Sequence, residues 1–512
     1  MKERSGNKLS QLKAGAVLSY LRIVISMIIA LIYTPIMIRI LGQSEFGLYS
    51  LIGSLAAYFS IMDMGLGNAM VRYTARNRVK GDNNRANKLN GMFLTFYSFV
   101  GVITIIVGVI VYQNINIIFE NSLSQTELKS AKIMVLVLIV NFSLSFPLSI
   151  FNSLLKAYEK FMVEQIISIA RIVLSPLIIL PIIYLGHGAV SMVIITTIVN
   201  IGCLVYSAIY CLKRLNIKIT FGKMEKGLVR EILGYSFFVF IAVIVDQIYW
   251  QTDQIILGAV SGTLSVAVYA IAIQFIKLYM QFSTSISGLF LPKATMMVAN
   301  DASNEDLTKL MIRYGRVQYL IITLILSGFI LFGKTFIEYW AGLNYTNAYY
   351  IVLIIMIPLT IPLVQNFGIS ILYAKNLQAF RSIVLVVIAV LNIIVSIPVA
   401  KIYGAIGVAY ITAITLLLGN VIVMNVYYQK KIGLNMLKFW NNIIKITIPI
   451  IFTLLIGLFI NYIIPNNTIL FFVVKVVSYT IIHSTLLYFI VFNQYEKNLI
   501  NSTFKRVRDR LS

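Results

Sequence analysis

The chain has 512 residues, 59% of them hydrophobic and 12% charged, with a net charge of +24. Soluble domains carry roughly a quarter charged residues, and apolar stretches of about 20 residues, enough to span hydrocarbon, recur here from end to end. They leave no room for a soluble catalytic domain, they are continuous rather than alternating as in a β-barrel, and the basic residues between them read as membrane topology rather than as a nucleic-acid surface.

Fourteen spans are predicted. The basic segment 1–13 leads into the first, 12–40, read as retained because it is too long for a signal h-region and lacks a clear cleavage site. Within it Ser19, Arg22 and Ser26 follow i, i+3, i+7 spacing and share one helix face. The second span, 46–72, contains Asp63-Met64-Gly65-Leu66-Gly67-Asn68, where glycines permit bending or close approach. Hinge and tight packing both remain open for Asp63. A basic run follows, Arg72, Arg76, Arg78, Lys80, Arg85 and Lys88, mainly a topology signal; Arg72 and Arg76 are candidates for collecting a phosphate at that side. The third to sixth spans cover 89–112, 131–155, 161–184 and 189–212. Arg171 lies in the middle of the fifth. Cys203 and Cys211 share the sixth and read as small core residues, since their spacing gives neither a disulfide framework nor a zinc site.

The seventh span, 231–257, places Asp246, Tyr249 and Asp253 on one face with Trp250 beside them. The eighth, 263–289, does the same for Gln274, Lys277 and Gln281. Spans nine to twelve cover 310–332, 348–373, 380–402 and 405–428. The last two, 439–464 and 469–492, carry Lys445 and Lys475, read as reaching for the membrane surface, and His483, read as a packing residue. Pro35, Pro147, Pro176, Pro181, Pro358, Pro362, Pro398 and Pro449 fall inside spans and are expected to kink them.

With the amino terminus taken as cytoplasmic, most of the 42 Lys and Arg fall on that side. The outer segments hold only Arg39, Lys129, Lys132, Lys334 and Lys401. This asymmetry places both termini in the cytoplasm. Three short matches also recur at nearly one offset: Ile40-Leu41-Gly42 with Ile256-Leu257-Gly258, Gly186 with Gly404, and Tyr210 to Arg214 with Tyr427 to Lys431. They indicate a parallel duplication about an axis along the membrane normal. The expected fold is all-α and integral to the membrane: two six-helix bundles around a central cavity, residues 1–222 and 223–434, then a terminal helix pair and cytoplasmic tail, 435–512.

A charge at the bilayer centre costs a few kcal/mol or more, so it faces a cavity or a partner. Arg22, Lys277 and Arg171, with Gln274, Gln281 and Tyr249, therefore read as a cationic, hydrogen-bonding lining suited to a pyrophosphate. Asp246, Asp253 and Asp63 are candidates for coupling or gating. Structural ion pairs, such as Arg22 with Asp246, are the alternative. No nucleotide-binding loop, metal-ligand cluster or nucleophile constellation is visible, which argues against an enzyme.

The segment Ile40-Leu41-Gly42-Gln43-Ser44-Glu45-Phe46-Gly47-Leu48-Tyr49 resembles the LGxxxFGxY signature of the polysaccharide transport family, the Wzx-like O-antigen and capsule flippases of the MOP superfamily. Asp63-Met64-Gly65-Leu66-Gly67, with Ala69 and Arg72, resembles its DxGLxxAxxR stretch, and Asp253 to Gly258 its DxxxLG ending. The resemblance implies a flippase that carries undecaprenyl-diphosphate-linked oligosaccharides to the outer leaflet of a bacterial plasma membrane by alternating access. It implies no bound cofactor, coupling to H+ or Na+, and a cavity lined by the first, second, seventh and eighth spans. In related lipid II flippases the last two helices hold the lipid tail. Membrane lipids, a polysaccharide polymerase and glycosyltransferases are the partners such a role implies. A lipid II flippase or teichoic acid exporter is the nearest alternative. A membrane glycosyltransferase or polymerase would need a larger outer loop than 113–130.

Overall fold

The computed structural model describes residues 2–80, 82–222, 226–287, 290–465, 468–498 and 501–502. The side chains of 2–13 and of Lys80 lie outside the described set, so the basic segment at the start and that member of the basic run are not placed. Among the described residues seventeen α-helices follow in chain order: α1 Lys2–Leu41, α2 Gln43–Ser60, α3 Leu66–Lys80, α4 Asn83–Phe119, α5 Gln125–Ala157, α6 Phe161–Tyr184, α7 Ala189–Ile209, α8 Lys226–Val260 and α9 Gly262–Ser287, then α10 Phe290–Ala299, α11 Asn304–Trp340, α12 Asn347–Val364, α13 Asn366–Ala374, α14 Gln378–Leu416, α15 Met424–Tyr427, α16 Met436–Ile463 and α17 Ile469–Ile490. No strand occurs among the described residues.

Twelve helical stretches among the described residues are long and apolar enough to cross a membrane. The protein is therefore a multi-pass membrane protein, as its composition requires. One of the twelve runs for 55 residues, 378–432. At 1.5 Å per residue it would be about 80 Å long, more than twice the hydrocarbon thickness. Gly404, at φ 54° and ψ −143°, breaks it near the middle.

Two predicted spans are interrupted. The second contains a break: α2 ends at Ser60, a 3₁₀ turn covers Ile61–Asp63, Met64 and Gly65 take positive φ, and α3 starts at Leu66. The tenth divides at Gln365, between α12 and α13, just after Pro362 has removed a backbone donor.

Local chemistry starts several helices. Ser124 and Glu127 form a reciprocal capping box on α5. Asp82 accepts from the Arg85 amide at the head of α4, and Ser303 from the Asp306 amide at the head of α11.

The chain forms two compact units, residues 1–270 with 397–405 and residues 271–396 with 406–512. The first unit has its core among α3, α4, α5 and the start of α8, where Tyr73, Phe93, Tyr97, Ile150, Leu154 and Ile232 are buried. Cys211 joins this core and donates to the Phe151 carbonyl at 3.4 Å, while Cys203 packs against it and is partly exposed. The second unit holds α11, α16 and α17 together through Leu320, Ile446, Ile450 and Leu487 and through Phe332 and Tyr479.

Two of the three repeated sequence matches share backbone geometry. Gly186 and Gly404 both take positive φ at helix ends or breaks, and π-helical turns occupy Tyr210–Arg214 and Tyr428–Ile432. The third match does not. Gly42 turns the chain at φ 80°, whereas Gly258 lies inside α8, and the turn glycine after α8 is Gly262 at φ 78°.

Candidate functional site

Helices α1 and α6 pack side by side. Gly15 of α1 meets Phe161 at the first residue of α6; a Cβ on Gly15 would lie 2.7 Å from the Phe161 Cβ. At the other end Glu45, just past α1, accepts from the Ala189 amide, just past α6, at 2.5 Å. The two helices therefore run in the same direction and in register. Arg22 comes seven residues after Gly15 and Arg171 ten after Phe161, about 10 and 15 Å along their axes at 1.5 Å per residue. Both arginines are half-buried, and both Nε atoms are buried with no hydrogen-bond partner among the described residues. Ser19 and Ser26 flank Arg22, and Gln165 and Ser168 before Arg171 and Ser175 after it lie at helical spacing from it. A guanidinium without a counter-charge is costly at membrane depth, and its planar fork is able to take an anion.

The Asp63 break is braced from within the unit. Tyr97 donates to Asp63 at 2.9 Å, and a Cβ on Gly67 would sit 3.2 Å from Ser153 Oγ and 3.3 Å from the Tyr97 hydroxyl. Gly67 thus serves close packing at the broken helix. Arg72 and Arg76 are exposed, each with its guanidinium over the Tyr73 ring, at 5.7 and 5.5 Å. Arg76 also faces Glu231 at 3.7 Å, an exposed pair that adds little stability. Arg78 is structural: it donates to the Ala157 carbonyl at 2.5 Å and covers Tyr158 at 4.3 Å.

On α8, Tyr249 is buried edge-on to Trp250 at 5.0 Å, Asp246 is exposed, and Asp253 is buried with Tyr269 donating to it at 2.5 Å. Gln274, Lys277 and Gln281 share a face of α9 in the second unit, half-buried, exposed and exposed in turn.

The first unit also contains a joint that sequence reasoning did not find. It gathers the turns that precede α2, α5, α7 and α9. Glu127 Oε1 accepts from Ser44 Oγ of α2 at 2.5 Å and from Thr263 Oγ1 of α9 at 2.7 Å. Its Oε2 accepts from the Ser124 amide at 2.8 Å and the Ser124 hydroxyl at 2.7 Å. Ser122 donates to the Gly258 carbonyl at 2.5 Å, Gln43 to the Leu264 carbonyl at 3.3 Å, and Ser261 to the Ala400 carbonyl at 3.1 Å. A Cβ at Gly47 would overlap the Thr263 carbonyl. Deeper along the same helices, Ser54 donates to Gln254 at 2.8 Å and Tyr58 bonds Thr252. Gly42, Ser44, Glu45 and Gly47 of the first signature segment therefore all serve this joint.

Other polar groups were also not singled out. Asn200 of α7 donates to Asn141 and Ser145 of α5 at 2.9 and 2.8 Å. In the second unit, Arg316 makes a two-pronged ion pair with Glu496, at 2.7 and 3.0 Å, and also donates to the Val491 carbonyl at 3.1 Å. Lys475 does not reach for the surface as expected. It is fully buried and donates to the side chain and carbonyl of Asn461, at 2.8 and 3.3 Å. Two oxygens on the neighbouring helix supply what water would have supplied. His483 is buried, its Nδ1 bonded to Thr453 at 2.8 Å and Tyr479 at 3.2 Å, as a packing residue would be. It borders a largely apolar groove of about 700 Å³ between α11 and α17, lined among others by Phe282, Leu320, Leu324, Leu487 and Phe492.

The profile of the polysaccharide biosynthesis protein family matches residues 12–298, more than half of the chain. The chain belongs to this family. No curated protein matches it. Among solved structures, the lipid II flippase MurJ in an inward closed conformation aligns with a TM-score of 0.70 at 17% identity, over 93% of this chain and 98% of that one. An inward-facing multidrug resistance transporter of the MATE family, within the MOP superfamily, aligns with a TM-score of 0.60 at 15% identity, over 78% of this chain and 96% of that one. The Vibrio cholerae MATE transporter VcmN gives 0.55 at 14%, over 84% and 98%. The fold of this polysaccharide biosynthesis protein is thus the one that these flippase and transporter structures share.

Proposed function

We propose that this protein is a flippase that carries undecaprenyl-diphosphate-linked oligosaccharide repeat units from the inner to the outer leaflet of a bacterial plasma membrane, for capsule, O-antigen or exopolysaccharide synthesis. The observation that carries the reading is the Arg22 and Arg171 pair, two intramembrane guanidinium groups at similar depth without an acidic partner among the described residues. Planar forks of this kind suit the oxygens of a diphosphate. Family membership supports the polysaccharide role, and the likeness to a lipid II flippase supports a lipid-linked cargo.

In this reading the chain crosses the membrane fourteen times, with both termini in the cytoplasm and Arg72 and Arg76 meeting the phosphate on that side. Arg22 and Arg171 hold the diphosphate. Lys277, with Gln274 and Gln281 on the same face of α9 and Tyr249 on α8, meets the same substrate during the cycle. Asp246, Asp253 and Asp63 act in coupling or gating, driven by H+ or Na+. The groove between α11 and α17 takes the lipid tail, as its apolar lining favours. A polymerase and glycosyltransferases act before and after the transport step.

Deletion in the native host tests the reading. Loss of surface polysaccharide with growth intact is expected, together with accumulation of the lipid-linked repeat unit inside. Growth arrest with accumulated cell-wall precursor would favour a lipid II flippase, the reading that the fold likeness also supports.

A further inference from the structure

The face of α11 that borders the apolar groove changes character at one end. Arg313, Arg316, Leu320 and Leu324 follow i, i+3, i+7, i+11 spacing and share that face. Leu320 and Leu324 line the groove. The two arginines continue the strip to the level where α17 ends, since Arg316 donates to the Val491 carbonyl at 3.1 Å. Helix α17 has 22 residues, a length of about 33 Å that matches the hydrocarbon, so this level is a membrane boundary. An apolar groove that ends at a membrane boundary beside two guanidinium groups has the layout of an anionic lipid, with the chain inside and the phosphate at the mouth.

A carboxylate already stands at that mouth. Glu496 takes both prongs of Arg316, at 2.7 and 3.0 Å, in the geometry that a phosphate also takes. Arg313 lies over the Tyr495 ring at 3.2 Å, and Lys497 over the Tyr488 ring at 5.4 Å. Glu496 also accepts from the Asn493 amide at 2.9 Å, and its own amide donates to the Asn493 side chain at 2.9 Å. The ion pair therefore fixes the whole segment that begins at Asn493. Glu496 is the one acidic residue of 491–502, and α11 carries none between Asp306 and Glu338. Glu305 and Asp306 are engaged with Lys309, at 3.3 and 3.6 Å. Three cations at the mouth thus share a single carboxylate.

We propose that Arg316 and Arg313 form a head-group site for the diphosphate of a lipid whose chain lies in the groove, and that Glu496 holds this site closed as an internal substitute for phosphate. The arginines are three residues apart, about 4.5 Å along the axis. Two adjacent phosphate groups suit two forks at that spacing, whereas a phosphodiester brings one charge. On arrival of the lipid, Arg316 exchanges a carboxylate for a phosphate and is never left buried and unpaired. Tyr495 leaves Arg313, and the segment from Asn493 onward is released. The inference rests on the proposed function for the identity of the lipid. It deepens that reading with a capture site in the second unit, made by residues other than Arg22 and Arg171.

The test is displacement of the segment by lipid. At about 25 Å³ per carbon, the ratio for benzene in a cavity of about 150 Å³, the groove of about 700 Å³ takes about 28 carbons. Geranylgeranyl diphosphate, with about 20 carbons, fits within that limit and is the probe. The full chain carries Arg22→Gln and Arg171→Gln, so that those arginines do not take the probe. It is purified in mild detergent and digested briefly with trypsin, and the cut after Lys497 is read by mass. The probe is expected to speed this cut about tenfold, while geranylgeraniol and phosphatidylglycerol leave it unchanged. Glu496→Gln should be cut fast without lipid and should bind the probe about tenfold more tightly, read as thermal stabilisation. Arg316→Met with Glu496→Leu should also be cut fast, yet gain no stabilisation from the probe. Three results would overturn the proposal: parental probe affinity in Glu496→Gln, as a purely structural ion pair requires, a cut that the probe does not speed, or an equal effect of phosphatidylglycerol. If Glu496→Gln fails to fold, Tyr495→Ala decides, since it frees Arg313 and should tighten binding; parental affinity there would overturn the proposal. Displacement by the probe in a protein that moves no lipid-linked saccharide would leave this site standing and remove the proposed cargo.

Discussion

Gly47 of α2 lies against the carbonyl group of Thr263 on α9, with no room for a Cβ between them. Overpacking of this kind costs about 1–3 kcal/mol, against a helix-propensity gain of about 1 kcal/mol for Gly to Ala. Gly47→Ala should therefore lower the melting temperature in detergent. Gly53→Ala, in the same helix and with open space around it, should leave it unchanged or raise it. Equal behaviour of the two variants would show that the contact carries no strain.

The Arg316 and Glu496 pair ties the segment after α17 to α11. Its side chains are only 13% and 4% exposed, so removing one partner leaves the other charge buried. Arg316→Gln and Glu496→Gln are each expected to cost about 3–5 kcal/mol. The double replacement Arg316→Met with Glu496→Leu should cost much less. Chemical denaturation in a mild detergent measures all three.

Arg22 and Arg171 make the opposite prediction. Each carries a buried, unpartnered Nε, so neutralising one relieves a cost in the empty protein. Arg171→Gln should melt at the parental temperature or above it while losing transport, a separation expected where a side chain serves function at the expense of stability. A lower melting temperature would assign Arg171 to structure instead.

Asn200→Ala removes both donors to α5 and leaves the Asn141 carbonyl and the Ser145 hydroxyl to find new partners. A loss of about 1–3 kcal/mol is expected if the site is closed to water. A loss well below that, by the same measurement, would place water at these groups.

The fold was legible because membrane spans are written in composition: a hydrocarbon slab allows only helices whose backbone is satisfied internally, and runs of the needed length announce themselves. The charged candidates were legible for a related reason, since Arg22 and Arg171 stand out against apolar neighbours. The joint was not. Glu127 reads as an ordinary loop acid, and Ser44 and Thr263 as ordinary helix starts. Only a fold that brings residues 136 apart together reveals that one carboxylate oxygen serves both. Lys475 misled for a similar reason, because the acceptors on Asn461 come from the neighbouring helix and leave no mark near residue 475 in the sequence. The matched glycines show the limit of short repeats: Gly42 turns the chain, while its counterpart by letter, Gly258, packs inside a helix against Leu51.

Transport of a defined cargo tests the central claim most directly. The protein is reconstituted in proteoliposomes with a fluorescent saccharide linked to a polyprenyl diphosphate, and its arrival in the opposite leaflet is read with an impermeant quencher. The account predicts transfer by the parent protein, a fall to about a tenth or less in Arg22→Gln and in Arg171→Gln, and little transfer of the same saccharide on an uncharged prenol. Parental rates in both variants, or equal transfer of the uncharged lipid, would contradict it.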